Sequence, residues 1–446
     1  MIAVPGSGGT RRRALAAAAI GLAIAIAAAA CSSSPSGTST TPAKSSASVI
    51  AAALQKKSAI TVWAWAPQVK DIVAAFEKKY PNVTVNLVNA GTATDEYTKL
   101  QNAVKAGSGA PDVAQIEYYA LSQFALTGSL ANLGDLGLDS LKSDYAPAVW
   151  GAVTPGGQLV GLPQDTGPMA LFYNQKIFAK YGLSVPATWA DYLADAKKLH
   201  AANPKDYLTN DTGDPGFITS MIWDAGGHPY AVSGTKNVTI DLQDPDSKKF
   251  TALWNQMVQG GLLSPISSWS TQWYTALGNG SIASLVTGAW MPGNLESGVA
   301  AAKGNWRVAP MPVWQSGGPA ATAENGGSSD VVMKQSKNQL VAAGFLQYMN
   351  QGAGTTIFAN EGGFPSVNAV LSSSTFLDTA PAYFGGQKIN QVLSQSAASV
   401  IPGWSYLPFQ VYANSIFPDT VGKAYANKSN LNAALQALRA AHRRGA

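Results

Sequence analysis

The side chains that most often carry catalysis are scattered along this sequence. Its three histidines, His200, His228 and His442, are far apart, and none belongs to a metal-ligand motif. The sequence contains no Gly-x-Ser-x-Gly nucleophile elbow, no phosphate-binding Walker loop and no dinucleotide-binding glycine triplet. These residues therefore predict neither a metal site nor a bound cofactor.

Carboxylates are the remaining group of side chains that could support catalysis. Two of them can act as acid and base across a glycosidic bond, but carboxylates can equally accept hydrogen bonds from ligand hydroxyl groups. The candidates are Glu117, Asp165, Asp224, Glu324 and Glu361. A glycosidase therefore remains an alternative, and release of products from oligosaccharides would identify it.

Aromatic residues are more informative than the charges. The chain of 446 residues has 12 Trp and 16 Tyr, whose amphipathic rings suit surfaces that are partly wet and partly apolar. The net charge is only +5, and three positive charges, Arg11, Arg12 and Arg13, lie close to the N-terminus. The run Lys56-Lys57 is too short for a basic patch. The composition therefore argues against nucleic acid as a partner, and the length predicts two or three domains.

Residues 1–30 predict a signal peptide. A positive segment that ends at Arg13 precedes an uncharged stretch, residues 14–30, which contains only Ala, Leu, Ile and Gly. A membrane-spanning helix needs about 20 predominantly apolar residues, and this stretch is shorter and rich in Ala. We therefore expect the leader to direct export and to be removed.

Cys31 is the only cysteine, and it directly follows the alanines of the leader. This resembles the leaders of bacterial lipoproteins, in which such a cysteine is the lipid attachment site, although Ala28 stands where these leaders usually have Leu. A Ser/Thr/Pro-rich segment follows, which cannot bury enough apolar surface to fold. We therefore expect residues 31–57 to form a flexible tether that anchors a body beginning near Ser58 to the outer face of the cell membrane.

The folded body opens with a β-α-β-α-β pattern. Apolar residues predict strands over 59–65, 83–88 and 112–116, with an amphipathic helix between each pair. This order favours a parallel, doubly wound sheet, in which ligands bind outside the carboxyl ends of the strands. Trp65 and Glu117 lie at two of these ends.

Several short motifs follow one another along the chain, and their order is informative. They are Trp63-Ala64-Trp65, Pro111-Asp112 after a Gly-rich turn, the segment 161–168 before an apolar strand, Gly288-Ala289-Trp290, and Ser336-Lys337-Asn338 before a helix. With this order the chain resembles the extracellular solute-binding proteins of bacterial ABC importers, and among them the sugar-binding branch. The resemblance covers about residues 59–439.

The resemblance implies an α/β fold of two lobes, each a doubly wound sheet flanked by helices, joined by hinge segments. The expected crossings are near residues 164–168, near 323–328 and soon after 362–365. The expected lobes are 58–165 with 328–368, and 166–327 with 369–446.

The resemblance also implies a receptor, not an enzyme, that captures a sugar or oligosaccharide in the cleft and delivers it to the permease subunits. We expect it to be a monomer. A sugar cleft combines aromatic faces for C–H groups with polar partners for hydroxyls. The candidate ligand-binding residues are Trp65, Glu117, Asp165, Trp223, Asp224, Trp290, Asn325, Gly326 and Trp404.

Other functions remain open at this point. They are a secreted glycosidase, a receptor for a polyamine or peptide, and a structural lipoprotein of the cell envelope. Saturable binding of a small solute would separate a receptor from a scaffold, and a panel of saccharides would identify the ligand class.

Overall fold

Two β-sheets, one of five strands and one of three, dominate the part of the chain that the structure describes. The computed structural model describes residues 46–233 and 237–445, so the predicted signal peptide and Cys31 lie outside the described residues. The strands are β1 (Ser58–Trp63), β2 (Val83–Val88), β3 (Val113–Glu117), β4 (Leu162–Pro163), β5 (Met169–Asn174), β6 (Thr209–Asn210), β7 (Tyr230–Ser233), β8 (Asn237–Ile240), β9 (Leu263–Ser264), β10 (Ser284–Gly288), β11 (Trp306–Ala309) and β12 (Ser328–Val332).

Helices surround these sheets. The α-helices are α1 (Ser46–Leu54), α2 (Val69–Lys79), α3 (Thr94–Ala106), α4 (Tyr118–Leu126), α5 (Pro147–Ala152), α6 (Gln175–Tyr181), α7 (Trp189–Ala202), α8 (Pro215–Asp224), α9 (Pro245–Gln259), α10 (Thr271–Asn279), α11 (Met291–Gly298), α12 (Gln339–Asn350), α13 (Ala353–Asn360), α14 (Asn368–Leu371), α15 (Ser374–Leu377), α16 (Ile389–Ala398), α17 (Gln410–Ser415), α18 (Lys423–Ala426) and α19 (Leu431–Gly445). Short 3-10 helices span Gly134–Leu136, Leu138–Asp144, Pro155–Gly157, Ala300–Ala302 and Ala382–Phe384, and a π-helical turn spans Pro418–Gly422. None of the helices within the described ranges is long and apolar enough to cross a membrane.

The five-stranded sheet has the strand order β2-β1-β3-β12-β4. Strand β1 pairs in parallel with both β2 and β3, which confirms the parallel β-α-β-α-β unit that the sequence predicts. Strand β12 comes from much later in the chain and lies antiparallel to β3 and β4. Because β1, β2 and β3 are parallel, their carboxyl ends meet at one edge of the sheet.

The N-terminal helix α1 corrects one prediction. Its side chains Ile50 and Leu54 are buried in the same core as the five-stranded sheet, and a Cβ added to Gly344 of α12 would lie 2.9 Å from each of them. The prediction that the tether runs to residue 57 and that the folded body begins near Ser58 is therefore wrong. Ile50 and Leu54 are four residues apart, so one helical face can bury both.

The three-stranded sheet has the order β10-β5-β11, and both of its pairs are antiparallel. Side chains of β5 alternate between two apolar layers: Met169 and Leu171 pack on one face, and Ala170 and Phe172 pack on the other. Lobe 1 denotes the part around the five-stranded sheet, with core residues within 50–162 and 331–367. Lobe 2 denotes the part around this sheet, with core residues within 169–323 and 364–438.

Three segments pass side by side between the two sheets. They are the first crossing (164–168), the second crossing (323–328) and the third crossing (364–366). Backbone hydrogen bonds join them, from Gln164 N to Ser328 O (2.9 Å), from Asn325 N to Gly167 O (2.7 Å) and from Thr166 N to Phe364 O (3.3 Å). The crossings therefore form a hydrogen-bonded connection between the two lobes.

Candidate functional site

The carboxyl edge of the lobe 1 sheet presents one aromatic and one acidic side chain. Trp65 follows β1, and Glu117 ends β3. The Gln115 side chain accepts hydrogen bonds from the backbone N–H groups of Trp65 (3.0 Å) and Ala66 (3.1 Å), and it donates to Ser328 Oγ (3.0 Å). The loop that carries Trp65 is therefore tied to the second crossing.

The Glu117 carboxylate is held by tyrosines. The Tyr97 hydroxyl donates to Glu117 Oε2 (3.1 Å) and accepts from the Glu117 backbone N–H (2.9 Å). Burial raises the pKa of Glu117 to about 7; hydrogen bonds from Tyr119 and Tyr97 oppose this shift, and the charges of Asp165 and Asp214 add to it. Near neutral pH the carboxyl group is therefore divided between a form that accepts hydrogen bonds only and one that can also donate.

A series of aromatic rings leads from this edge into lobe 2. Successive ring centroids lie 4.9 to 6.5 Å apart, in the order Trp65, Tyr97, Tyr119, Tyr406, Trp404 and Trp223. The step from Tyr119 to Tyr406 joins lobe 1 to a segment whose Trp404 packs against the lobe 2 core. The structure thus links four predicted residues, Trp65, Glu117, Trp223 and Trp404, through one series of contacts between the lobes, in which Tyr97 and Trp223 are buried.

Trp223 and Trp404 have different roles in this series. Their rings are stacked, with centroids 4.9 Å apart and planes 8° apart. Trp223 is only 4% exposed, and its indole N–H donates to Ile401 O (2.8 Å). Trp404 is half-buried, and its indole nitrogen is buried without a hydrogen-bond partner among the described residues. Trp223 therefore stacks on Trp404 and supports its ring, while the Trp404 nitrogen is buried and leaves only the ring for contact with a ligand.

A second group of predicted residues lies where lobe 2 meets the second crossing. The indole N–H of Trp290, which follows β10, donates to Asn325 O (2.7 Å). The Asn325 side chain donates to Ser220 Oγ (3.2 Å) and accepts from Thr287 Oγ1 (3.3 Å). Gly326 has a φ of 78°, and a Cβ there would lie 2.9 Å from Trp290 Nε1. The close approach of the Trp290 ring therefore requires glycine at position 326.

Asp165 lies in the first crossing, where the sequence predicts it, but its carboxylate is engaged by the protein. It is 8% exposed, and Oδ1 accepts from the backbone N–H of Ser328 (2.7 Å). Burial raises its pKa to about 7. The Glu324 carboxylate, in the second crossing, accepts hydrogen bonds from two groups of the first crossing, Thr166 Oγ1 (2.7 Å) and Gly167 N (2.5 Å). The two carboxyl groups therefore join the first and second crossings by hydrogen bonds.

Asp224 was a candidate ligand residue, and the structure assigns it to the core of lobe 2 instead. It is 2% exposed, and Oδ2 accepts from the indole N–H groups of Trp189 (3.1 Å) and Trp314 (2.8 Å). Burial raises its pKa to about 7. Because α8 directs Asp224 inward, the pair Trp223-Asp224 does not present an acid to the cleft.

Three tyrosines of the aromatic series were not predicted as site residues. The sequence assigns Tyr97 to the apolar stripe of a helix, while Tyr119 follows Glu117 and Tyr406 follows Trp404 by two residues. Their proximity to predicted site residues was the available signal. Within residues 46–233 and 237–445, no three His, Cys, Asp or Glu side chains are grouped as a metal site.

Residues 63–354 match the family model of the bacterial extracellular solute-binding proteins. The match covers more than half of the chain, and the chain belongs to this family. It is a family of binding proteins, which sets the glycosidase alternative aside.

Solved structures and curated proteins place the chain among sugar-binding relatives. An ABC transporter-associated binding protein from B. animalis subsp. lactis, in complex with β-1,6-galactobiose, is 44% identical, with a TM-score of 0.81, and the match covers 86% of this chain and 96% of that one. The galacto-N-biose/lacto-N-biose I-binding protein of Bifidobacterium longum, in complex with lacto-N-biose, is 26% identical, with a TM-score of 0.75 and coverage of 87% and 97%. These structures confirm the predicted two-lobe α/β fold.

Among curated proteins, the arabinooligosaccharide-binding protein of Bacillus subtilis is 27% identical over 62% of this chain. The match spans 65% of that relative's length. The lactose-binding protein of Rhizobium radiobacter is 26% identical over 74% of this chain and 80% of its own length.

Proposed function

We propose that this protein is the sugar-binding receptor of an ABC importer and holds a sugar or short oligosaccharide between its lobes. The observation that carries the proposal is the series of aromatic rings from Trp65 to Trp223, which spans both lobes and to which Glu117 is hydrogen-bonded. The 44% identity to a protein bound to β-1,6-galactobiose supports a galactose-containing ligand.

The side chains that we assign to the site have the chemistry that a saccharide needs. The faces of a pyranose carry C–H groups that pack on aromatic rings, and its edge carries hydroxyl groups that need polar partners. Trp404 and Trp290 supply ring faces, while Glu117 and Asn325 supply acceptors or donors. We assign ligand contact to these residues and to Trp65 and Gly326, and a supporting role to Trp223, Asp165 and Asp224.

The crossings support a closing motion of the lobes. We assign residues 46–165 and 328–368 to lobe 1, apart from Phe364, which packs in the lobe 2 core, and residues 166–327 and 369–446 to lobe 2. A ligand that touches both lobes binds the closed form more tightly than the open form, and it therefore shifts the equilibrium toward closure. The closed receptor would then deliver the sugar to the permease subunits as a monomer.

The N-terminal region supports export and anchoring. The leader over residues 1–30 would be removed, and lipid on Cys31 would hold the receptor at the outer face of the cell membrane. The tether would then extend from Cys31 to the start of α1 at Ser46.

Titration calorimetry against a defined panel tests the proposed function. The panel contains β-1,6-galactobiose, lacto-N-biose, lactose and galactose, with spermidine and a tripeptide as other solutes. We expect saturable binding of at least one saccharide with a stoichiometry of one, and no binding of the other solutes. If the protein unfolds cooperatively but binds none of the saccharides, the proposal is wrong.

A further inference from the structure

Trp269 combines two features that are rare together. Its side chain is 51% exposed, although Trp usually buries most of its large ring. Its backbone is left-handed, with a φ of 70°, a conformation that among the described non-glycine residues only Ala93 and Lys428 share. Bulky residues avoid this conformation, and such backbone strain is concentrated at functional sites. The pair of features therefore calls for a reason other than packing.

The segments on both sides of Trp269 are held in place. On one side, Asn210 Nδ2 donates to Ser268 Oγ (2.9 Å). On the other, Ser270 caps α10 by accepting from the backbone N–H of Trp273 (3.1 Å). The same Asn210 accepts from the Trp273 indole N–H (2.8 Å). These bonds fix the turn and preserve the left-handed conformation of Trp269.

The ring of Trp269 lies directly beside the candidate site. Its centroid is 5.3 Å from that of Trp273 and 5.6 Å from that of Trp290, and it is tilted by 32° from the Trp290 plane. Trp273 is buried, and Trp290 is fixed to Asn325 O in the second crossing. The Trp269 ring is therefore supported by the rings of Trp273 and Trp290, and it extends the aromatic surface of Trp290 toward solvent.

We propose that Trp269 is a specificity-determining residue that receives a second sugar unit next to the unit on Trp290, so that the receptor prefers saccharides of two or more units to monosaccharides. This inference rests on the proposed function and deepens it. A single pyranose ring can cover one indole face, whereas the neighbouring ring of a disaccharide would lie within reach of a second indole 5.6 Å away. The exposed apolar face of Trp269 gives the C–H groups of that second unit a surface to cover.

The position argues against a purely structural role. A side chain needed for packing would be buried, and a turn that needs a left-handed residue is best served by Gly or Asn, which adopt this conformation at little cost. Trp satisfies neither requirement. Ligand contact accounts for both its exposure and its backbone conformation.

Two substitutions at this position separate the ring from the backbone. Trp269→Gly removes the ring and fits the left-handed conformation, whereas Trp269→Phe keeps an aromatic face. Titration calorimetry of the full chain would compare β-1,6-galactobiose with galactose, or lacto-N-biose with N-acetylglucosamine if the parent binds that disaccharide instead. Thermal unfolding without ligand is measured for each variant.

We expect Trp269→Gly to weaken disaccharide binding about tenfold or more, to change monosaccharide binding less than about threefold, and to leave the ligand-free unfolding midpoint equal or higher. We expect Trp269→Phe to retain most of the disaccharide affinity. Equal disaccharide affinity in Trp269→Gly and the parent, or equal losses for both sugars, would overturn the inference while leaving the proposed function intact. Failure of the parent to bind any saccharide would instead overturn the proposed function.

Discussion

Trp290 and Trp404 differ in what their indole N–H groups do. The N–H of Trp290 is bound to Asn325 O, so its ring is fixed before any ligand arrives. The nitrogen of Trp404 has no hydrogen-bond partner in the described part of the chain, and because it is buried a ligand oxygen does not reach it in this conformation. If Trp290 contacts the ligand, as we propose, it does so through its ring face, and its replacement removes a rigid platform.

We expect Trp290→Ala to weaken saccharide binding about tenfold or more, or about 1.4 kcal/mol, because the sugar loses its apolar surface. Titration calorimetry measures this loss, and thermal unfolding without ligand measures the fold. Trp306→Phe is the matched control, since Trp306 is fully buried in lobe 2 and its replacement should lower stability but leave affinity unchanged. If Trp290→Ala binds saccharide as tightly as the parent, the assignment of ligand contact to Trp290 is wrong.

At the scale of elements, the three crossings carry the connection between the lobes. Asp165 from the first crossing binds Ser328 in the second, and Glu324 from the second binds Thr166 and Gly167 in the first. Burial raises the pKa of each of these two carboxylates to about 7. Burial therefore disfavours the ionised forms in the folded protein, while an oxygen of each carboxyl group still accepts a hydrogen bond when the group is protonated.

The raised pKa of Asp165 predicts a pH dependence of stability. In the unfolded chain its pKa is near 4, so between about pH 4 and 7 the folded form binds more protons, and the free energy of unfolding falls as pH rises. We expect Asp165→Asn, which keeps an acceptor oxygen, to flatten this fall by about 1 kcal/mol or more between pH 5 and pH 8. Denaturant unfolding at both values measures it.

The control for this prediction is Asp419→Asn, the same substitution at a side chain that is 84% exposed and lies outside the crossings. A parent-like profile for Asp165→Asn would mean that Asp165 does not contribute to the pH dependence. If Asp165→Asn instead loses much of its saccharide affinity while its stability is unchanged, Asp165 contacts the ligand directly.

Local patterns account for the elements that the sequence predicts well. The strands and helices of the β-α-β-α-β unit each show their own periodicity and turn residues, so their order and parallel pairing followed from the sequence. The antiparallel pairing of β5 with β10 and β11 joins strands far apart in sequence, and no local pattern specifies it. Helix α1 was missed because its apolar residues follow directly on a tether of small polar residues.

The same limit applies to the site. The position of Trp65 and Glu117 at one edge of the lobe 1 sheet could be predicted because strand ends in a parallel sheet converge. The contact of Tyr119 with Tyr406 depends on how the two lobes meet, and the inward direction of Asp224 depends on how α8 packs. Neither is encoded in the spacing of nearby residues.

At the scale of the whole molecule, the N-terminal region predicts where the receptor works. If Cys31 carries lipid after cleavage, the protein should fractionate with membranes, because a lipid chain and a tether hold the folded body at the surface. Cys31→Ser should release soluble protein or accumulate as precursor. Membrane fractionation followed by immunoblotting measures both, with Ser32→Ala as the matched control. Equal membrane association of Cys31→Ser and the parent would contradict the anchor.

The arrangement of the lobes predicts how the receptor captures its ligand. The proposed site takes residues from both lobes, and the crossings connect the lobes, so a bound saccharide should favour the closed form and stabilise the fold by mass action. The unfolding midpoint should therefore rise with ligand concentration. Closure itself, rather than stabilisation alone, distinguishes capture between lobes from binding on one lobe.

Small-angle X-ray scattering with and without saturating saccharide tests this capture most directly. The saccharide is the one that binds most tightly in the calorimetric panel, and spermidine at the same concentration serves as the control solute. We predict that the radius of gyration falls on saturation with the saccharide and does not change with spermidine. Saturable binding with an unchanged radius of gyration would contradict capture by closure of the lobes.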